Sequence, residues 1–320
     1  MKYRIYFFTV MSLIVAGALG AVAQTPPQDP TQEPSSPQEA TRTIMTQAPS
    51  AAQRASLAPT DSDVYCAGFY THRAIDASFA VLGGPDNGLK FEFSAGDTVY
   101  MNKGNKFIKA PGGDYLLVRP IKDLSPVESF PGQRKLVFEM GTLYAEIARI
   151  RIQVVHADSS VAEILRACEP ALAGDIAIPM AERHAPPYRE SKLTDRYIPS
   201  TGKATGVIAA IKGFQEATGG NTIVYLNLGK KQGMQPGSYL RIFRTYLSAS
   251  QFMYRNGARN YATKMGEVPI GRKLAPEEIT TLPRVVVGEV MVLSAEDETA
   301  TGIVTYSWQD LYPGDDVELE

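Results

Sequence analysis

Three histidines (His72, His156 and His184) and two cysteines (Cys66 and Cys168) are the whole stock of imidazole and thiol groups in the 320-residue chain. A zinc site needs three or four such ligands at close, regular spacing. These five are scattered, so no metal centre is expected. His156 precedes Asp158 and Ser159, but neighbours in sequence do not make a triad, which is defined by convergence in space. Glu139 and Glu146, or Asp310, Asp315 and Asp316, offer carboxylates for acid–base work, yet nothing in their spacing places them around a substrate. Gly83-Gly84-Pro85 and Gly219-Gly220 lack both the Lys-Ser/Thr ending of a phosphate loop and the Gly-x-Gly-x-x-Gly nucleotide pattern, so they read as strand connections. No catalytic residue and no cofactor is expected.

The chain's balance points the same way. Lys and Arg number 32 against 34 Asp and Glu, which excludes a strongly basic nucleic-acid binder and a highly acidic solvating chain. Lys2 and Arg4 precede the mostly apolar run Ile5 to Gly20, and Ala21-Val22-Ala23 has the small-x-small pattern of a signal-peptidase site. Residues 1–23 therefore read as a signal peptide, with cleavage before Gln24. The run is shorter than the roughly 20 residues that span a bilayer, and no later segment reads as a membrane helix. Residues 24–61 carry Pro26, Pro27, Pro30, Pro34, Pro37, Pro49 and Pro59 among Gln, Thr, Ser and Ala. Such a composition builds no core and reads as a disordered, extended stalk.

The remainder divides into a first β module (62–180), a linker (181–199) and a second β module (200–320) with an insertion at 245–282. An internal repeat carries this division. Val99, Tyr100, Asn102 and Gly104 match Val224, Tyr225, Asn227 and Gly229. Pro111 to Arg119 parallels Pro236 to Arg244. Met140-Gly-Thr-Leu-Tyr-Ala resembles Val287-Gly-Glu-Val-Met-Val, and Val161 to Asp175 aligns without a gap to Thr301 to Asp315.

These blocks must be positioned by short strands. Thr98 to Met101, Tyr115 to Val118, Leu136 to Phe138, Ala148 to Val155 and Val161 to Leu165 are apolar or β-branched runs. Ile223 to Leu226, Tyr239 to Phe243, Val285 to Leu293 and Thr299 to Tyr306 repeat the pattern. Alternation with period two predicts sheets with one buried face. The fold class is all-β, with two tandem small barrel-like or sandwich-like modules. Gly104, Gly113, Gly229, Gly233 and Gly237 mark tight loops, and Gly174-Asp175 and Gly314-Asp315 mark turns that deliver each module's last strand. Tyr100 and Tyr225 are expected in the module cores.

An exported chain meets an oxidising compartment, where a Cys66–Cys168 disulfide is permitted. It would close a loop of roughly 100 residues and stabilise the first module by several kcal/mol. Two buried free thiols are the alternative. The position aligned with Cys168 in the second module is Trp308, an aromatic in place of the staple.

Binding candidates come from the basic and aromatic residues. Lys103, Lys106 and Lys109 follow one Tyr-containing strand, and Lys230 and Lys231 follow its counterpart. If the two loops share an end of the molecule they form a modest positive rim for an anionic partner. Tyr246, Phe252, Tyr254, Arg255 and Arg259 lie in the insertion, the least repeated part, which makes it the preferred contact surface.

The blocks at 224–237, 239–244, 287–290 and 313–315 resemble the C-terminal domain of the flagellar assembly protein T, a module also found beside peptidoglycan-binding LysM domains. The first module resembles a variant opening with Tyr65-Cys-Ala-Gly68 and closing with Ala167-Cys-Glu-Pro170. The resemblance covers about residues 62–320 and implies an envelope-facing structural or binding role without a catalytic set. Neither a LysM domain nor a separate flagellar targeting domain is recognisable. The expectation is a non-enzymatic scaffold or protein-binding protein of the cell envelope, exported and periplasmic or envelope-associated. Direct binding to peptidoglycan or a surface glycan is the alternative, ahead of a cryptic envelope enzyme.

Overall fold

The computed structural model describes residues 58–85, 88–122, 128–251 and 275–320, and the described elements fall in one compact unit. The signal peptide and nearly all of the stalk lie outside the described residues. Thr60 is the N-cap of helix α1 (Asp61–Tyr65), in a capping box with Asp63. The hydroxyl and the carboxylate there satisfy backbone donors that a short helix leaves open.

The molecule is mostly β, in two tandem sheets. The first contains β1 (Phe69–Thr71), β2 (Val81–Gly83), β3 (Thr98–Met101), β4 (Asp114–Ile121), β5 (Thr142–Val155), β6 (Ser160–Ala167) and β7 (Ile176–Pro179), with helix α2 (Gln133–Glu139) before β5. The second contains β8 (Thr205–Ile211), β9 (Ile223–Leu226), β10 (Tyr239–Arg244), β11 (Val285–Ala295), β12 (Ala300–Ser307) and β13 (Asp316–Leu319), with helix α3 (Pro276–Thr281) before β11.

Strand order in the first sheet is β2-β3-β6-β5-β4-β7, with β1 added beside β5. The second sheet runs β8-β9-β12-β11-β10-β13 and closes on itself as a six-stranded barrel. The orders are the same, position for position. The first sheet closes only partly: Ala80 bridges Ile176, and Val81 N donates to Asp175 O at 2.9 Å. Closure removes the exposed edges that open sheets must otherwise protect.

Side chains at matching strand positions make matching bonds. Asn102 Oδ1 accepts from Ala80 N at 2.9 Å, and Asn227 Oδ1 accepts from Val207 N at 2.7 Å. Arg119 forks onto Asp175 at 2.7 and 2.8 Å and reaches Pro170 O; Arg244 forks onto Asp315 at 2.6 and 2.6 Å and reaches Asp310 O. Asp175 and Asp315 also accept from Leu172 N and Tyr312 N, so each acid locks the turn before the last strand. Gly104 and Gly229 share a use too. A Cβ would lie 2.4 Å from Ala157 O at Gly104, and 2.5 Å from Glu296 O at Gly229. Neither site needs positive φ; both need the missing side chain.

Each module has its own core. Val99, Met101, Leu117, Ile150, Ile152 and Ile164 fill the first. Val224, Leu226, Leu240, Ile242, Val290 and Val304 fill the second. A third apolar cluster lies between them: Val64, Ala67, Tyr70, Val137, Met140 and Leu143 pack on Ala209, Ile223, Tyr225, Met291, Leu293 and Ile303. The backbone leading into and along β1 is satisfied across this seam. Thr301 Oγ1 donates to Gly68 O at 2.9 Å, Thr299 Oγ1 to Tyr70 O at 2.8 Å and Tyr225 OH to Ala67 O at 2.9 Å. Buried carbonyls left without such donors would each cost about 1–3 kcal/mol.

Four sequence expectations change. Leu136 to Phe138 is not a strand but part of α2. Its Val137 and the Met140 that caps it face the seam, and Phe138 is exposed. The block beginning at Met140 is not the counterpart of the block at Val287. Ala148 stands opposite Leu117 and Ala167 as Gly288 stands opposite Ile242 and Ser307. The glycine-anchored match was therefore seven residues out of register. At the 112–113 pair the left-handed residue is Gly112, not Gly113. Neither tyrosine fills its own module's core: Tyr100 is exposed, and Tyr225 packs in the seam, edge-on to Tyr70 at 5.2 Å.

Candidate functional site

Cys66 and Cys168 form a disulfide. Cys168 follows β6 and donates its N–H to Ile147 O; Trp308 follows β12 and donates to Val287 O. Both positions fasten the segment leading into their module. Cys168 does so covalently. Trp308 does so with Tyr306 at its edge, Arg196 at 5.7 Å over its ring, and Leu193 and Ile198 in the same apolar cluster.

The linker is a second fastening. Arg183 N donates to Tyr65 OH at 2.6 Å, its guanidinium stacks on that ring, and it pairs with buried Glu146. Six residues on, Arg189 N donates to Tyr239 OH at 2.8 Å and its guanidinium lies 3.8 Å from the Tyr239 ring centre. It pairs with buried Glu289 at 3.3 Å and with Glu320. One device thus pins the strap first to one module and then to the other. Arginine suits it, because a planar cation can stack and fork at once.

Between the strap and the seam runs a groove, seen as two adjoining cavities of about 440 and 420 Å³ that share Phe69, Ile178, Pro179 and Glu296. Ile75, Phe79 and Phe107 line one end. Leu116, Pro236, Arg183, His184 and Lys230 line the other. Its floor comes from β1, β4 and β7 and its far wall from the second module. Arg73 and Asp76 at one end, with Lys230 and Glu296, set charges of both signs along an apolar floor. Each half falls in the size range of ordinary ligand pockets. The arrangement offers an apolar surface suited to side chains or rings, with charges of both signs beside it.

The carboxylates have structural occupations. Glu139 is exposed, 3.8 Å from Lys135 one turn away. Asp315 belongs to Arg244, and Asp316 accepts from Ser248. Glu146 borders the groove, but Arg183 takes one oxygen and Gly68 N donates to the other at 3.1 Å. Among the described residues no three His, Cys, Asp or Glu side chains are grouped as metal ligands.

Burial raises the Glu146 carboxyl above the ordinary glutamate range, against the opposing pull of Arg183. Glu289 is raised for the same reason. Such a group binds more protons folded than unfolded between its two values, so its contribution to stability falls as pH rises through that window. The window opens at about 4.3, the unfolded value. Glu146→Gln should reduce the fall in unfolding free energy from about pH 4.5 to 7, read from urea midpoints. An unchanged slope would show that Glu146 titrates alike in both states.

The sequence-predicted contact residues divide. Lys106 and Lys109 are exposed in the β3–β4 loop, and Lys103 lies 6.0 Å from the ring of Phe107. From that loop it is Phe107 that enters the groove. Lys230 lines the groove directly, whereas Lys231 pairs with Glu298 at 2.5 Å. Both loops thus reach one groove, but as an aromatic wall with one cation. Tyr246 lies elsewhere, beside a cavity of about 710 Å³ with Arg196, Tyr197, Arg244 and Leu282. Phe252, Tyr254, Arg255 and Arg259 lie outside the described residues. Phe69, Ile178, Pro179, Arg183 and Glu296 were missed. The one visible signal was Pro179 ending an otherwise apolar strand, since proline is confined to strand edges. No protein-family model and no curated protein matches this chain.

Proposed function

We propose that this chain is an exported, non-enzymatic scaffold of the bacterial cell envelope that binds another protein, and that the groove between its modules is where an extended segment of that protein lies. The observation that carries the reading is the groove itself: an apolar floor flanked by charges of both signs, its walls held by a disulfide, an apolar seam and the arginine strap. A site pre-formed in this way loses little conformational entropy on binding. The disulfide suits an oxidising compartment. In this reading residues 1–23 are removed on export and 24–61 form a stalk. The modules descend from one duplicated unit, an origin supported by their common strand order and paired Asn and Arg–Asp bonds. The resemblance to the C-terminal domain of flagellar assembly protein T fits an envelope role, without assigning a flagellar one.

Glycan binding is the second reading, favoured by Phe107, a half-exposed ring at one end of the groove that is backed by buried Phe79 at 5.2 Å and gives an apolar face to stack on a sugar. The test places a photo-crosslinking amino acid at Phe107 in cells and, in parallel, sediments the purified protein with cell-wall sacculi. A discrete protein adduct that Ile178→Asp abolishes is the expected result. Saturable sedimentation lost in Phe107→Ala, with no adduct, would transfer the assignment to glycan. Neither result would leave the groove without the role given to it.

A further inference from the structure

Because the strand orders coincide, each face of one module has a counterpart on the other. The second module docks on the first through the outer face of β8, β9 and β12, with Ala209, Tyr225 and Phe214 in the seam. The counterparts follow from register. Tyr225 pairs with Ala210 of β8 as Tyr100 pairs with Gly83 of β2, which sets Leu82 in the place of Ala209. Phe214 stands four residues before the Thr218–Leu311 bridge, and Leu89 stands four before the Phe93–Ala171 bridge. On the second module Ala209 and Tyr225 are buried and Phe214 is half-buried. On the first, Leu82 is 59%, Leu89 90% and Tyr100 39% exposed. Val161 and Val154 extend the apolar stripe, in register with Tyr100 across β6 and β5.

The other half of the seam has a counterpart as well. The first module docks through the segment that Cys168 fastens, beside the start of β5. In the second module the segment that Trp308 fastens runs beside the start of β11, where Val286 N donates to Arg196 O at 2.7 Å. Arg284 holds that segment in place by donating to Ile198 O and Pro199 O. Tyr197 on this segment is 62% exposed and Leu282, just before β11, is 40% exposed. One chain therefore carries one joined interface and, on separate modules, one unjoined copy of each half.

We propose that copies of this chain associate head to tail, the free β2–β3–β6 face of one first module taking the Tyr197 and Leu282 end of the next copy's second module. A heterologous contact of this kind adds copies without a built-in stop at two, unlike a two-fold dimer. Arg151, Gln153 and Glu163 occupy the places of Met291, Leu293 and Ile303 on the free face, so the contact between chains is weaker than the seam within one. This inference goes beyond the envelope reading and does not depend on export or on the groove.

The test is sedimentation velocity of the purified chain over a concentration series reaching roughly 1 mM. Average mass should climb past the dimer. Leu82→Asp/Tyr100→Asp and Tyr197→Asp/Leu282→Asp should each remain monomeric when alone, with unchanged circular dichroism and unfolding midpoint because all four side chains are exposed. Mixed one to one, the two variants should form a dimer and stop there, since each blocks a different half. A wild-type chain that stays monomeric throughout would overturn the proposal. So would association that persists in either variant alone, a wild-type plateau at dimer, or a mixture that stays monomeric.

Discussion

Reducing the Cys66–Cys168 disulfide should lower the unfolding free energy by about 4–5 kcal/mol, the chain-entropy value for a closed loop of about 100 residues. The two cysteines are 102 positions apart, so the crosslink restricts much of the unfolded first module. The loss should spread further than that module. Cys66 anchors the segment whose Ala67, Gly68 and Tyr70 carbonyls receive the three buried hydroxyls of the second module. Urea unfolding with and without reductant, beside a Cys66→Ala/Cys168→Ala variant, measures it. A loss below about 1 kcal/mol would mean that the reduced chain keeps the same constraint by other contacts.

Arg244→Ala should cost about 3–5 kcal/mol, the range for stranding one member of a buried ion pair. The Asp315 side chain has no exposure and that of Arg244 only 11%. Removing the guanidinium leaves the carboxylate with Tyr312 N and no cation. It also removes the donor to Asp310 O and the cation over the Tyr312 ring, 4.9 Å from its centre. The equivalent change at Arg119 should cost less, because that side chain is 26% exposed and water reaches the vacated place. Arg244→Met/Asp315→Leu should recover most of the loss, since a well-packed apolar pair avoids burying charge. Equal losses at Arg119 and Arg244 would contradict the role given to burial.

Much of this architecture was legible in the sequence, for a physical reason. A strand with one buried face writes its geometry as alternation, and a turn before a last strand writes itself as Gly-Asp. The pairs Asn102 with Asn227, Gly104 with Gly229 and Asp175 with Asp315 were visible because each role admits few residue types. The match of Gly141 to Gly288 failed because these glycines do different work. Gly141 lies at φ +92 against the Thr71 carbonyl, whereas Gly288 lies mid-strand against Tyr306 O. The two tyrosines show a second limit: Tyr100 and Tyr225 share a motif, and only the presence of a neighbouring module buries one of them.

The groove was less legible than the fold. Its residues come from β1, β7, a loop and the linker, which meet only once two modules are docked. No local pattern marks Arg183 and Arg189, because their partners Tyr65, Glu146, Tyr239 and Glu289 are spread over the whole folded part. The linker read as featureless since it forms no strand. Its order comes from stacking and ion pairs, which carry no periodicity.

The placement of β1 bears on the order of assembly. A chain made amino-terminus first presents Cys66 and Cys168 before β8, β9 or β12 exists, and domains fold as units in that order. The disulfide closes within the first module alone. With it closed, the carbonyls of Gly68 and Tyr70 are held beside β5, and the second module is expected to condense on a template already in shape. Trapping free thiols on chains halted after residue 180 would catch that moment, with Cys66 and Cys168 already joined.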